Sequence, residues 1–594
     1  MSDDVASTPK KKRGCLWGCL TFFLGIFLVL LCLAAIWYWI NFAGAPQIVA
    51  GSPAVSVAPE TTFLESPLDE NGDVDYLAAI NEKLSVGVTP ENNSMIPIVE
   101  AIGPTPEDQP LSDSFFEQFG IPVIPAEGEY FLEFRDWFDA REAAEEARIS
   151  EEFLKRIEAN PDAELEEPDC ESRPNWVTIS PQYDFALANP WSAKEFPLLS
   201  EWLQEMETPL GLAVQASSRS RYYHPLVTGG SATGPPVLSA PLSYVQGIRH
   251  LSYALSIRAM HQLKQGNVDA AIADTMAIYR LGQLMAQGNT MVEQLVAYAI
   301  RKIGHECSGV IAMTGQADQQ QLQQLIDELE SSPDLHRNLT RALTYGERLM
   351  ALDATVQLAR GNTKSIGSAE GSWMNDMGRA VDWNQALRVI NQKHDQLAEM
   401  AQIEDYSSRS KANVKFENEM RDNQRNLTGV SITMSVLGGR QAKGQKMGEI
   451  LADLLMPAWY QIDSSMMKTK DLTRMSVVAL KLAQYKLQHK NYPAELSALV
   501  PDYFPETPVD ESHGLPFIYH LQTKESDSES SKFAEFNLKP GEYLLYSCGP
   551  NGTDDGATDE YSDYLFPNVV YSSWSAYQQE QQEPENEGEA WDLP

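Results

Sequence analysis

An uncharged run of about 27 residues, Gly14 to Ile40, follows directly on Lys10-Lys11-Lys12-Arg13. A run of that length without a single charge spans a ~30 Å hydrocarbon core with some tilt, whereas a buried helix of a globular domain needs neither the length nor the uniformity. The basic cluster is held at the cytoplasmic face, and Trp37, Tyr38 and Trp39 fall at the far interface, so the bulk of the chain is placed on the opposite side. The sequence therefore predicts a basic cytoplasmic tail over 1–13 and a single transmembrane helix over 14–40, through which the protein engages the membrane. Ala43-Gly44-Ala45 has the small-x-small form of a signal-peptidase site. The apolar region exceeds the ~7–15 residues of a signal peptide, and Pro46 would follow the cut, so the anchor is expected to be retained.

Behind the anchor there is enough chain, 594 residues in all with 43% hydrophobic content, to bury more than one core, which excludes a disordered protein. A formal net charge of -38 repels nucleic acid and anionic membrane surfaces; divalent cations and basic proteins are the electrostatically matched partners. No nucleic-acid partner is expected. Of the six cysteines, Cys15, Cys19 and Cys32 lie in or beside the predicted span. Cys170, Cys307 and Cys548 remain outside, without a C-x-x-C, so neither a zinc ribbon nor a disulfide-stapled scaffold is indicated. The expected location is the bacterial inner membrane, single pass, with the N-terminus cytoplasmic and the bulk of the chain periplasmic.

Residues 41–68, rich in Pro, Val, Ala and Ser, read as a linker. A mixed, mostly helical region follows over 69–239, containing a short helix around Tyr76–Ile80, a second after Thr89-Pro90-Glu91-Asn92-Asn93, and helical character over Phe131 to Ala159. Apolar spacing at Leu251, Leu255, Ile257, Met260 and Leu263, then Gly266-Asn267, then Ala270, Ile272, Met276, Leu281 and Leu284 predicts a helical hairpin inside an α-helical domain over 240–469. The glycine-rich stretch Gly361 to Gly378 interrupts that domain and lacks the spacing of a phosphate-binding loop. A Gln/Glu-rich acidic tail, 571–594, is expected to be disordered.

No catalytic constellation emerges. Gly304-His305-Glu306-Cys307 lacks the second histidine of a zinc-protease helix, and no Gly-x-Ser-x-Gly elbow is present. Carboxylate pairs such as Glu145-Glu146 and Glu151-Glu152 lie on acidic helices and read as solvated faces; His250, His261 and His305 read as packing or surface residues. The chain is not expected to be an enzyme.

The C-terminal unit, 470–570, carries the remaining chemistry. Leu472, Met475, Val478, Ala479, Leu482 and Tyr485 form one helical stripe that Asn491-Tyr492-Pro493 must end, because proline cannot continue the hydrogen-bond ladder. Leu496, Leu499 and Val500 make a short second helix. Two strand-like runs follow, Pro516 to Leu521 and Tyr543 to Cys548, joined by an acidic Ser-rich connection that includes Thr523 to Ser531. After the second, Gly549, Gly552 and Gly556 allow a tight loop among Asn551, Asp554, Asp555, Asp559, Glu560 and Asp563, whose hard oxygens suit calcium; Ser562 stands where an EF-hand would need its bidentate glutamate.

Together, Asn491-Tyr492-Pro493, the Val509-Asp510 turn and Cys548-Gly549-Pro550-Asn551-Gly552 make residues 470–566 resemble the globular domain of bacterial type II secretion major pseudopilins. The resemblance implies an α+β unit with calcium held by the backbone carbonyl of Cys548 or its neighbours, the side chain of Asn551, and Asp559 with Glu560. Asn551 replaces the family's usual aspartate and Glu560 the second member of its Asp-Asp pair. The glutamate-bearing N-terminal helix of true pseudopilins is missing, so polymerisation is not implied. The remainder resembles uncharacterised membrane-anchored proteins of planctomycete-type bacteria, which implies no activity.

The expected fold is thus mainly α, built of helical hairpins, with one N-terminal transmembrane helix and a C-terminal α+β pseudopilin-like domain. The expected role is structural, in interaction with an envelope protein. The alternatives are an extracytoplasmic enzyme or a secretion-system accessory component, the latter favoured if the Leu472 stripe is exposed.

Overall fold

The computed structural model describes residues 51–159, 174–228, 237–333, 335–362, 381–425, 439–456, 459–523 and 538–549, with single positions from 552 to 578 and Leu31, Cys32 and Ala35. The fold is mainly helical. Among the described residues no helix is long and apolar enough to cross a membrane; the predicted span 14–40 lies almost wholly outside them, as do the tail 1–13 and most of the loop Gly361–Gly378.

The centre is a set of packed helices, Tyr244–Lys264, Val268–Met285, Met291–Thr314 and Gln319–Glu330. The predicted hairpin is present, reversing at Gly266, whose φ of +81° is open to glycine at no steric cost. Thr290 starts the third helix with a capping box: its hydroxyl accepts the Glu293 amide while Glu293 reaches back to the Thr290 amide, satisfying two otherwise orphaned donors. Asp318 and Gln321 repeat the device on the fourth. Gly304 lets the second and third helices approach closely, since a Cβ there would lie 3.0 Å from the Tyr279 ring. Leu251, Leu255, Ile278 and Ile300 are fully buried between these helices, each burial stabilising the fold by ~1.5–3 kcal/mol.

One further helix, Trp459–His489, runs from the helical core into the terminal unit and crosses position 469/470 without a break. Its stripe Leu472, Met475, Val478, Ala479 and Leu482 is buried, packed on Met291–Thr314 and Gln319–Glu330. The helix ends at Lys490, φ +71°, before the Tyr492-Pro493 corner. Behind it lies a three-stranded antiparallel sheet in the order β1 (Ile518–Leu521), β2 (Tyr543–Ser547) and β3 (Tyr564–Phe566), with Ile518 opposite Tyr546 and Leu545 opposite Phe566. Leu545 and Phe566 belong to the same core as Ile300 and Val310, so the sheet closes on the helical body instead of standing apart.

A second core joins the start of the described chain to its later half: Val55, Tyr76 and Ile80 pack with Leu349, Leu352, Val356, Leu387, Ile390 and Leu451. Here the sequence expectation fails, because residues 51–68 are not a linker. Thr61 and Thr62 are fully buried, the Ser56 amide donates to Asn384 at 2.8 Å and the Asn391 amide to the Thr61 carbonyl at 2.8 Å, and the Arg348 guanidinium lies 4.1 Å over the Phe63 ring. Proline and small residues follow a fixed irregular path when the helix Trp383–Ala401 supplies their partners. Gly444 and Gly448 bring the helix Gly439–Leu455 onto Trp383–Ala401, where Cβ atoms would meet the Asp382 and Ala386 carbonyls at 2.2 and 2.7 Å. The tail needs a matching correction. Trp574 and Tyr577 pack edge-on against Phe185, with centroids 5.4 and 5.6 Å apart; the acidic residues 579–594 lie outside the described chain.

Candidate calcium loop and the polar seam beside it

The loop is reached from a turn held by two buried carboxylates. Asp471, on the long helix and inaccessible to solvent, accepts the Glu511 amide at 2.6 Å and lies 2.6 Å from the Ser512 hydroxyl. Asp510 accepts the His513 and Leu515 amides at 2.8 and 3.3 Å and the Ser547 hydroxyl at 3.2 Å. The Val509–Phe517 turn is thereby tied to the helix on one side and to the end of β2 on the other. Burial pushes the Asp471 carboxyl up to about 7, against the pull of Ser512 and the Glu511 amide and with the help of the neighbouring Asp510 and Glu511 charges.

Cys548 is buried at the mouth of the loop. Gly549, Gly552 and Gly556 follow with φ of +58°, +66° and +80°, and the Gly552 amide donates to the Gly549 carbonyl at 3.3 Å. Asp554 accepts the Tyr546 hydroxyl at 2.7 Å and the Gly556 amide at 3.1 Å, which makes it a fastener of the turn. Of the sequence-predicted calcium ligands, only Cys548 is described; Asn551, Asp559 and Glu560 lie outside the described residues. Among the described residues no group of three or more His, Cys, Asp or Glu could hold a metal ion.

The histidines are placed by their neighbours. His250 pairs with Glu133, and His261 lies on the Trp191 ring with centroids 4.4 Å apart. The Arg148 guanidinium joins Glu145 and Glu152 at 2.5 and 2.7 Å on an exposed face, as expected of a solvated acidic helix.

His305 is the exception to a bland reading, since it is fully buried in a seam between Val268–Met285, Met291–Thr314 and the long helix. Tyr279 Oη lies 3.0 Å from His305 Nδ1 and from Ser308 Oγ; His305 Nδ1 is 2.9 Å from Ser476 Oγ and its Nε2 3.1 Å from Thr473 Oγ1. The hydroxyls of Ser308, Thr473 and Ser476 donate to the carbonyls of His305, Thr469 and Leu472. Burial and the Arg301 charge hold the imidazole neutral, its pKa well below the ordinary value. The network then assigns Nδ1 as acceptor of the Tyr279 hydroxyl and Nε2–H as donor to Thr473. Cys307 beside it is inert: burial pushes the thiol up to about 12, and Sγ rests 3.1 Å from Ser256.

A second polar corner carries a sequence signal that the motif reading passed over. Thr290-x-x-Glu293 is a capping-box spelling, and Glu293 is 4% exposed with His224 Nε2 at 3.5 Å. Burial raises the Glu293 carboxyl, but His224 and the Thr290 donors outweigh it and leave it below its ordinary value.

Comparison of the chain with known protein families, curated proteins and solved structures gives no match.

Proposed function

We propose that the chain is a single-pass, membrane-anchored protein of the bacterial inner membrane whose extracytoplasmic body serves a structural, partner-binding role at the cell envelope, with the pseudopilin-like C-terminal unit stabilised by calcium. The observation that carries this reading is the order of parts around the loop: a long helix, a Tyr-Pro corner, an Asp510 turn, an antiparallel pair, and a glycine loop issuing from β2 at Cys548. Calcium at Asn551, Asp559 and Glu560 would neutralise carboxylates that follow Asp554 and Asp555 within a few positions of the sequence, the chemistry that a hard divalent cation supplies. The anchor rests on the length and flanks of residues 14–40.

Burial of the Leu472 stripe within its own chain removes the feature that favoured a secretion-system subunit. A catalytic role gains no support from the buried groups described: His305 Nδ1 accepts from the Tyr279 hydroxyl, and Asp471 accepts from the Glu511 amide and lies against the Ser512 hydroxyl. Thermal unfolding of the full chain in detergent, with calcium or with chelator, tests the proposal. Calcium is expected to raise the melting temperature of the wild type and not of Asp559→Ala/Glu560→Ala; equal shifts in both proteins, or none in either, reject the calcium site.

A further inference from the structure

We infer that the cavity between the helical body and the terminal unit binds a small monocarboxylate with an apolar body, its head on Arg301. Arg301 is 1% exposed and lines a cavity of about 500 Å³. Its Nε and Nη1 have no acceptor, and Nη2 reaches only Thr473 Oγ1, at 3.4 Å. That oxygen already accepts from His305 in the seam, so the guanidinium stands at the cavity end of a fixed chain of hydrogen bonds. Its stem is seated by design of the backbone: Gly282 leaves the room, since a Cβ there would lie 2.7 Å from Arg301 Cγ.

A desolvated guanidinium with open donors is costly to keep and is balanced by an anion that supplies the missing acceptors. No carboxylate among the described residues does so. Glu330 is engaged by Lys481 at 2.9 Å and Glu511 by Arg474 at 2.5 Å. The wall sets Glu330, Glu506 and Glu511 against Arg301, Lys470 and Arg474 and so carries no excess of positive charge for a dianion such as a phosphate monoester, whereas a single carboxylate suffices for one open donor edge of the Arg301 guanidinium. Leu329, Val477, Val478 and Phe504 complete the lining with apolar surface for the body of the ligand, and the volume falls within the range of small-molecule sites.

The test uses 4-phenylbutyrate as probe, with 4-phenylbutanol as its neutral counterpart and inorganic phosphate as the alternative anion, titrated calorimetrically against the full chain in detergent. One saturable site is expected for the acid, with the alcohol at least tenfold weaker and phosphate silent. Arg301→Met, which replaces a buried unpaired charge by an apolar chain and should fold at least as well, is expected to lose the acid at least tenfold. Val477→Phe, which keeps the charge and fills the apolar wall, is expected to lose it as well. Equal binding of acid and alcohol, undiminished binding by Arg301→Met, binding of phosphate in place of the acid, or no binding of the acid by a wild type whose melting is cooperative would each overturn the assignment.

Discussion

Replacing Asp471 by Asn should flatten the pH dependence of stability between pH 5 and pH 8. The carboxyl ordinarily titrates near 3.8 and is pushed to about 7 by burial in the fold. A folded-state pKa above the unfolded one means that the stabilisation from holding the proton is complete below pH ~4 and is lost as pH rises through about 7. At ~1.4 kcal/mol per pKa unit the whole span amounts to about 4 kcal/mol, of which about 3 kcal/mol disappears between pH 5 and pH 8. Asparagine reproduces the protonated acid at this site, since its carbonyl can accept the Glu511 amide and its amide can donate to Ser512 Oγ, the two partners Asp471 has. Denaturant unfolding of wild type and Asp471→Asn at both pH values, with m-values compared to ensure the same transition, isolates the group. Other buried acids, such as Asp353 at about 6, titrate in both proteins and cancel in the difference. The variant is expected to exceed the wild type by about 1–2 kcal/mol at pH 5 and by about 4 kcal/mol at pH 8. A variant that loses as much stability as the wild type between the two pH values would refute the placement of this proton.

Asp463→Ala strips the partner from Arg409, which lies 2.9 Å away with both side chains at most 2% exposed, and should cost about 3–5 kcal/mol in denaturant unfolding, while the double change Arg409→Met/Asp463→Leu should recover most of it. Gly346→Ala would place a Cβ 1.7 Å from the Asn289 carbonyl oxygen and should destabilise by about 3 kcal/mol as the backbone gives way, read as a drop in melting temperature. Gly211→Ala is its control, in a helix with nothing within 4 Å of the new carbon, and should be neutral or stabilising by about 0.5–1 kcal/mol.

Periodicity made the helices legible. Leu251, Leu255 and Met260 marked an interior face that is buried as expected, and Tyr492-Pro493 stopped the long helix because proline obeys local sterics whatever surrounds it. Irregular segments were not legible, since their partners are distant in sequence: nothing in Ser52-Pro53-Ala54-Val55 points to Asn384 or Leu387. Helix onset at Trp459, ahead of Leu472, was hidden because Asp463 and Asp471 break the apolar stripe and become buried only through Arg409 and the Val509–Phe517 turn. The Arg301 cavity could not be anticipated either, because a lone arginine in a helix is ordinarily a surface residue. Asn551, Asp559 and Glu560 remain legible only through the pseudopilin resemblance.

The joining of residues 55–80 to the helices beyond position 348 sets an order of assembly. Arg360 closes on Asp73 across 287 positions, and Asn391 on Thr61 across 330, so the segment 55–80 emerges from the ribosome long before its partners exist. Until then Val55, Tyr76 and Ile80 face water or a chaperone, and this second core can be sealed only late in synthesis.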